Sequence, residues 1–126
     1  MANAEAYCRT RNAAKARLVP ATFNRDGDVA TQLRAQKPDI LIDASGPFQT
    51  YGDVPYRLIE ACIGERVNYL DLADGSAFVG GVAIFDKAAQ AAGIFVLSGV
   101  SSFPVPTAAV VRRLSSDMTR VETIRG

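Results

Sequence analysis

Two stretches, Ala44-Ser45-Gly46-Pro47-Phe48 and Ser98-Gly99-Val100-Ser101, carry the residue types most suited to chemistry. Each follows a short apolar run, and each opens with small, uncharged residues. Small side chains let a bulky planar ligand approach the backbone. A Gly-Pro pair fixes a sharp turn, and a serine can donate or accept one hydrogen bond. Two such loops at one end of a sheet suit a nucleotide and its attached ring. Glycine and proline after a strand also serve simply to turn the chain, so both readings stay open at this level.

Other reactive groups are few. Asp43, Asp71 and Asp74 suggest an acid–base pair, but strand-end carboxylates commonly accept from loop N–H groups. The chain has no histidine, which removes the usual general base near neutral pH and the commonest zinc ligand. No catalytic residue and no metal ligand is therefore assigned. Tyr51, Tyr56 and Tyr69 read as packing groups with a hydrogen-bonded tip. Cys8 and Cys62 are the only cysteines, too few for a disulfide framework or a metal cage. A reduced, cytoplasmic protein is the simplest reading, with Cys62 as inert core.

Positioning the two loops requires alternating strands and helices. AEAYC (4–8) reads as a short strand, and Asn12 as the cap of a short helix through AAKARL. LVPATF (18–23) reads as an edge strand because of Pro20. Asp28 caps a helix over 29–36, with Val29 and Leu33 on one face, and Pro38 stops it. DILID (39–43) is an apolar run between acids, as in a parallel strand buried on both faces. Asp53 caps the next helix, Pro55 fits its first turn, Leu58, Ile59, Cys62 and Ile63 make its stripe, and Gly64 ends it. VNYLDL (67–72) is a strand. GGVAIFDKAAQAAG holds a helix with Val82, Phe85, Ala89 and Ala92 inward, closed by Gly93. IFVL (94–97) is a strand, Thr107 caps the helix TAAVVRRLSS, and RVETI (120–124) begins a last strand. The expected fold is α/β: one domain over residues 1–126 with a doubly wound, mostly parallel, Rossmann-like sheet.

Composition narrows the function classes. A chain of 126 residues, 48% apolar and 21% charged, has the balance of a globular domain. Its net charge of +1 favours neither nucleic acid nor a membrane surface. No apolar stretch approaches a membrane span, and basic residues do not alternate with aromatics as in nucleic-acid binders. The charge is uneven, however: residues 1–38 hold seven Lys/Arg and three Asp/Glu, and residues 39–75 hold two and seven. A phosphoacceptor receiver domain would need a lysine after a late strand, and SGVSS offers none.

DILIDASGPFQTYGDVPYRLIEACI, then VNYLDLADG, then AAQAAGIFVLSGVSSFPVPT, resemble in order and spacing the nicotinamide-nucleotide-binding domain of saccharopine dehydrogenase-like oxidoreductases. The resemblance covers about residues 6–126 and implies an NAD(P)-binding Rossmann-like domain. That family opens with a strand and a G-x-G-x-x-G turn that seats the pyrophosphate on a helix N-terminus. No such motif occurs here. The resemblance therefore implies a sheet lacking its first β-α unit, and a substrate domain that would normally follow. Under it, Arg9, Thr10 and Arg11 hold the adenosine ribose. Arg11 stacks on adenine and, with Lys15, pairs with a 2′-phosphate, which favours NADP over NAD. Ser45, Gly46, Pro47 and Phe48 line the nicotinamide ribose and pyrophosphate, and Gly99, Val100 and Ser101 approach the nicotinamide ring. Arg11 and Lys15 serve equally well as solvated charges on a short helix.

Two function classes follow. One is the NAD(P)-binding part of an oxidoreductase, catalytically incomplete by itself and weak in cofactor binding. The other is a non-catalytic structural or interaction module that has lost the cofactor. For the second, a sheet without its central strand exposes unpaired backbone groups, which direct pairing of the remaining strands, a partner chain or a homodimer could close; the expectation is a homo-oligomer through the exposed sheet edge.

Overall fold

The computed structural model describes residues 2–11, 16–101 and 104–124. Its centre is a three-stranded parallel sheet in the order β1-β2-β3, formed by Ile40–Asp43, Asn68–Asp71 and Val96–Leu97. Ile40 to Asp43 pair in sequence with Asn68 to Asp71, and Tyr69 and Leu70 with Val96 and Leu97. The described residues also form six helices: α1 (Ala2–Arg11), α2 (Val29–Gln36), α3 (Arg57–Glu65), α4 (Ser76–Gly81), α5 (Asp86–Ala92) and α6 (Pro104–Leu114). Single 3₁₀ turns at Phe48–Thr50 and Val82–Phe85 connect them.

Helix α2 starts where the sequence places it: Asp28 accepts from the Thr31 N–H at 3.0 Å, and that bond holds the Asp28 carboxyl below its usual range. It ends at Lys37, left-handed at φ 48°, just before Pro38. Val29 and Leu33 are buried against the Leu58, Ile59 and Cys62 stripe of α3. Arg34 and Glu65 tie the two helices together at the surface. Helix α3 packs on β2 and is flanked by α2 and α5. Together they cover the sheet face that presents Leu41, Tyr69 and Val96. Gly93, at φ 72°, closes α5 as expected.

Several expectations are corrected. AEAYC lies inside helix α1, not in a strand; an alanine-rich segment has high helix propensity. LVPATF and RVETI form no strand, since neither finds a pairing partner. Helix α3 begins at Arg57 with Tyr56 as its N-cap, not Asp53. It runs through Gly64 to a left-handed Arg66. The helix expected over 80–93 breaks into α4, a 3₁₀ turn and α5. Helix α6 begins at Pro104, so Thr107 is internal to it. Strand β1 is covered on one face only, and Ile40 and Ile42 are exposed on the other. Asn12 and Lys15 lie outside the described residues.

Candidate functional site

At the carboxyl end of the sheet, two carboxylates stand side by side. Asp43 ends β1, Asp71 ends β2, and the two are register partners. They lie on the helix-covered face, and both are buried, with Asp71 at 0% and Asp43 at 4% exposure. Each organises one of the small-residue loops. Asp43 Oδ1 accepts from the Ser45 N–H at 3.0 Å and from the Ser45 hydroxyl at 2.6 Å. Its Oδ2 accepts from the Tyr51 hydroxyl at 3.1 Å. Asp71 Oδ1 accepts from the Ala73 N–H at 3.0 Å, the Ser98 hydroxyl at 3.0 Å and the Gly99 N–H at 2.8 Å. The Val100 N–H adds a bond to the Asp71 carbonyl oxygen at 3.0 Å. These aspartates thus act as loop anchors, the structural reading the sequence favours for them.

The Asp43 loop opens onto a cleft of about 540 Å³. One wall is aromatic. Phe48 packs on Tyr51 and Phe78 with ring centroids 4.8 and 5.2 Å away, and Tyr56 lies 5.0 Å from Phe78. The other wall is the loop after β2, where Gln49 Nε2 donates to Asp74 Oδ1 at 2.9 Å and so joins the two strand-end loops. Gly75, Ser76 and Ala77 complete that side. Behind Tyr51 the Arg25 guanidinium stacks on the ring, 3.3 Å from its centroid. Burial, followed by the Asp43 charge, raises the Tyr51 pKa, while the Ser45 hydrogen bond and Arg25 act in the opposite direction. Burial, and then the Asp71 and Asp43 charges, raise Tyr69 further still. Tyr51 and Tyr69 therefore stay neutral at physiological pH. An aromatic wall beside a small-residue loop can hold a flat ring by stacking, with hydrogen bonds offered at the rim.

The residues expected to form a site fall into three groups. Ser45, Gly46, Pro47 and Phe48 sit together at the mouth of this end of the sheet. Ala44, Ser45 and Pro47 are exposed and Phe48 is buried in the cleft wall. Gly99, Val100 and Ser101 are brought to the neighbouring strand end by Asp71. The space beside Gly99, however, is filled by the chain itself: a Cβ there would lie 3.3 Å from Val79. Arg9, Thr10 and Arg11 stand on exposed positions of α1. There the Thr10 hydroxyl donates to the Tyr7 carbonyl oxygen, and the Arg11 guanidinium lies over the Tyr7 ring.

Tyr56 and Gly81 were missed as a pair. The Tyr56 hydroxyl donates to the Phe78 carbonyl oxygen at 3.1 Å, and it does so by crossing Gly81, whose Cβ would fall 2.0 Å from the Tyr56 oxygen. The Gly80-Gly81 pair inside a helical stretch was the available signal. Among the described residues, no cluster of three or more Cys, Asp or Glu side chains could hold a metal, and no helix is long and apolar enough to cross a membrane. No family model, curated protein or solved structure matches the chain.

Proposed function

We propose that the chain is the nucleotide-binding part of a saccharopine dehydrogenase-like NAD(P)-dependent oxidoreductase, its three strands forming one half of a doubly wound, Rossmann-like sheet. The observation that carries this reading is the pairing of Asp43 with Asp71, which brings both small-residue loops to one sheet end, the first of them leading into the aromatic cleft through Phe48 and Gln49. Ligands of open parallel α/β sheets bind at the carboxyl ends of the strands.

The residues fit such a ligand in part. The cleft wall of Phe48, Tyr51, Tyr56 and Phe78 and the rim groups Gln49 and Asp74 suit a flat heterocycle. The pyrophosphate is less well provided for, because the sequence has no G-x-G-x-x-G turn to present backbone N–H groups to it. When bound, a nicotinamide cofactor would supply hydride transfer. This chain's residues would seat its ring; the resemblance gives a 2′-phosphate to Arg11 with Lys15, and Arg25 is a cation beside the cleft wall. No catalytic residue is assigned.

The reading predicts weak, saturable binding, with NADPH ahead of NADH and dissociation constants above about 1 µM, weaker than about −8 kcal/mol. Fluorescence anisotropy of the reduced nicotinamide measures it directly. Absence of saturable binding for both nucleotides at about 1 mM, near −4 kcal/mol, overturns the reading. It would leave the second one, a non-catalytic interaction module, which the Val79 side chain filling the space beside Gly99 favours.

A further inference from the structure

We propose that the cleft between helix α6 and the end of β3 binds a small aliphatic acid, its anionic head held by Arg112 and Arg113 and its tail laid along Val105, Ala108 and Ala109. The cleft has a volume of about 730 Å³, within the roughly 300–1,000 Å³ of small-molecule sites. One wall is a face of α6. Val105, Ala108, Ala109, Arg112 and Arg113 follow the i, i+3, i+4, i+7, i+8 spacing that puts side chains on one side of a helix. The other wall is Ser98 and Gly99, just past β3.

The lining decides where a charge can sit. It contains no acidic residue. Among the described residues, neither the Arg112 nor the Arg113 guanidinium makes an ion pair or a hydrogen bond. The donors of the opposite wall are already engaged: the Ser98 hydroxyl and the Gly99 N–H both go to Asp71 Oδ1. The Ser116 hydroxyl donates to Asp117. The two arginines are thus the side-chain donors left for an anion, and the planar guanidinium matches the paired oxygens of a carboxylate or phosphate. Basic residues in the last turn of a helix also complement its dipole, but that role is met on any side of the helix. Here both lie on the side that faces the cleft.

The remaining residues set the body of the ligand. Val105, Ala108 and Ala109 are aliphatic, and no aromatic ring lines the cleft, so a saturated chain suits it better than a stacked heterocycle. Val105 is 52% exposed, leaving apolar surface that such a chain would remove from water. From Val105 to Arg112 the helix rises about 10 Å, at about 1.5 Å per residue, the span of a tail of medium length. This cleft shares no lining residue with the aromatic one at Phe48, so acid binding here does not depend on nucleotide binding.

Isothermal titration of the full chain with octanoate, octyl phosphate and octanol, each below its micelle-forming or solubility limit, tests the proposal. At least one of the two acids is expected to bind saturably with a dissociation constant below about 1 mM, and octanol at least about tenfold more weakly. The tighter of the two acids names the head group. Arg112→Gln combined with Arg113→Gln removes both cations from exposed positions. It is expected to weaken the acids at least about tenfold and to leave octanol unchanged. Ala109→Glu introduces a good helix former and places a carboxylate three and four residues before the two arginines. It is expected to weaken the acids by a similar factor, and circular dichroism checks that both variants fold. Octanol binding as tightly as the acids, acid binding unmoved by either variant, or no saturable binding of either acid at about 1 mM overturns the proposal.

Discussion

Asp43 and Asp71 have the same residue type, the same place at a strand end and the same task, yet their surroundings differ. Asp43 uses both oxygens, and its partners Ser45 and Tyr51 reach the surface. Asp71 takes all three of its donors on Oδ1, while its Oδ2 is buried with no hydrogen-bond partner among the described residues. Moving from the edge strand β1 to the central strand β2 therefore turns a solvent-assisted anchor into a sealed one. A sealed anchor leaves its donors no water to fall back on.

The largest effect expected from this contrast is at Asp71. Asp71→Ala orphans the buried Ala73 and Gly99 N–H groups and the Ser98 hydroxyl. The cost is expected to be about 2–6 kcal/mol, at roughly 1–3 for each of the two fully buried N–H groups. Asp71→Asn keeps an acceptor for all three and puts an amide in place of the unpartnered oxygen. That amide nitrogen is buried with no acceptor described for it, so the change is expected to cost about 1–3 kcal/mol, less than Asp71→Ala. Asp43→Ala exposes its donors to water and is expected to cost about 1–2 kcal/mol. Urea denaturation measures all three. Equal losses for Asp71→Ala and Asp43→Ala would remove the contrast.

The tyrosines sharpen the comparison through alkaline pH. Tyr69 is raised above the ordinary 10.0, chiefly by burial, and burial pushes the Cys62 thiol from 9.0 up to about 12. A raised folded-state pKa contributes stability that is whole below the unfolded value and is lost as pH rises through the folded one. Stability should therefore hold to pH 9, then fall by about 1.4 kcal/mol per pH unit for each group titrating only in the unfolded chain. Cys62→Ala should delay the onset to pH 10, and Tyr69→Phe should flatten the limb above it. Denaturant midpoints against pH, with tyrosinate absorbance as the monitor, follow both. In the folded protein Tyr51, less buried and opposed by Ser45 and Arg25, should ionise before Tyr69.

The sequence showed local devices well and long-range ones poorly. The Asp28 cap, the Val29/Leu33 face, the α3 stripe, strands β1 and β2 and the Gly93 terminator rest on residues a few positions apart. All of them stand in the structure. LVPATF and RVETI have strand composition, but a strand exists only where another chain segment completes its ladder. DILID reads as buried on both faces because its run is continuously apolar. Nothing local shows that no described helix covers Ile40 and Ile42. For the site, the two loops were visible as small-residue turns. Their anchoring was not, since Asp71 reaches Gly99 across 28 positions and Tyr56 crosses Gly81 only through tertiary packing.

The smallest effects separate a glycine needed by the fold from one available to a ligand. Gly99 has φ +74°, and a Cβ there would lie 3.3 Å from Val79. Gly99→Ala is therefore expected to destabilise by about 1–3 kcal/mol through left-handed strain and crowding. A Cβ at Gly46 would meet the Phe48 ring at 3.6 Å, an ordinary contact, so Gly46→Ala should change stability by less than about 0.5 kcal/mol. If the exposed 44–47 loop is small so that a ligand can approach its backbone, that nearly silent change should still weaken NADPH binding about tenfold, or 1.4 kcal/mol. Thermal melts and anisotropy titrations on one preparation give both numbers. Unchanged affinity in Gly46→Ala would mean that the smallness of this loop serves the turn alone, as it does where Val79 fills the space beside Gly99.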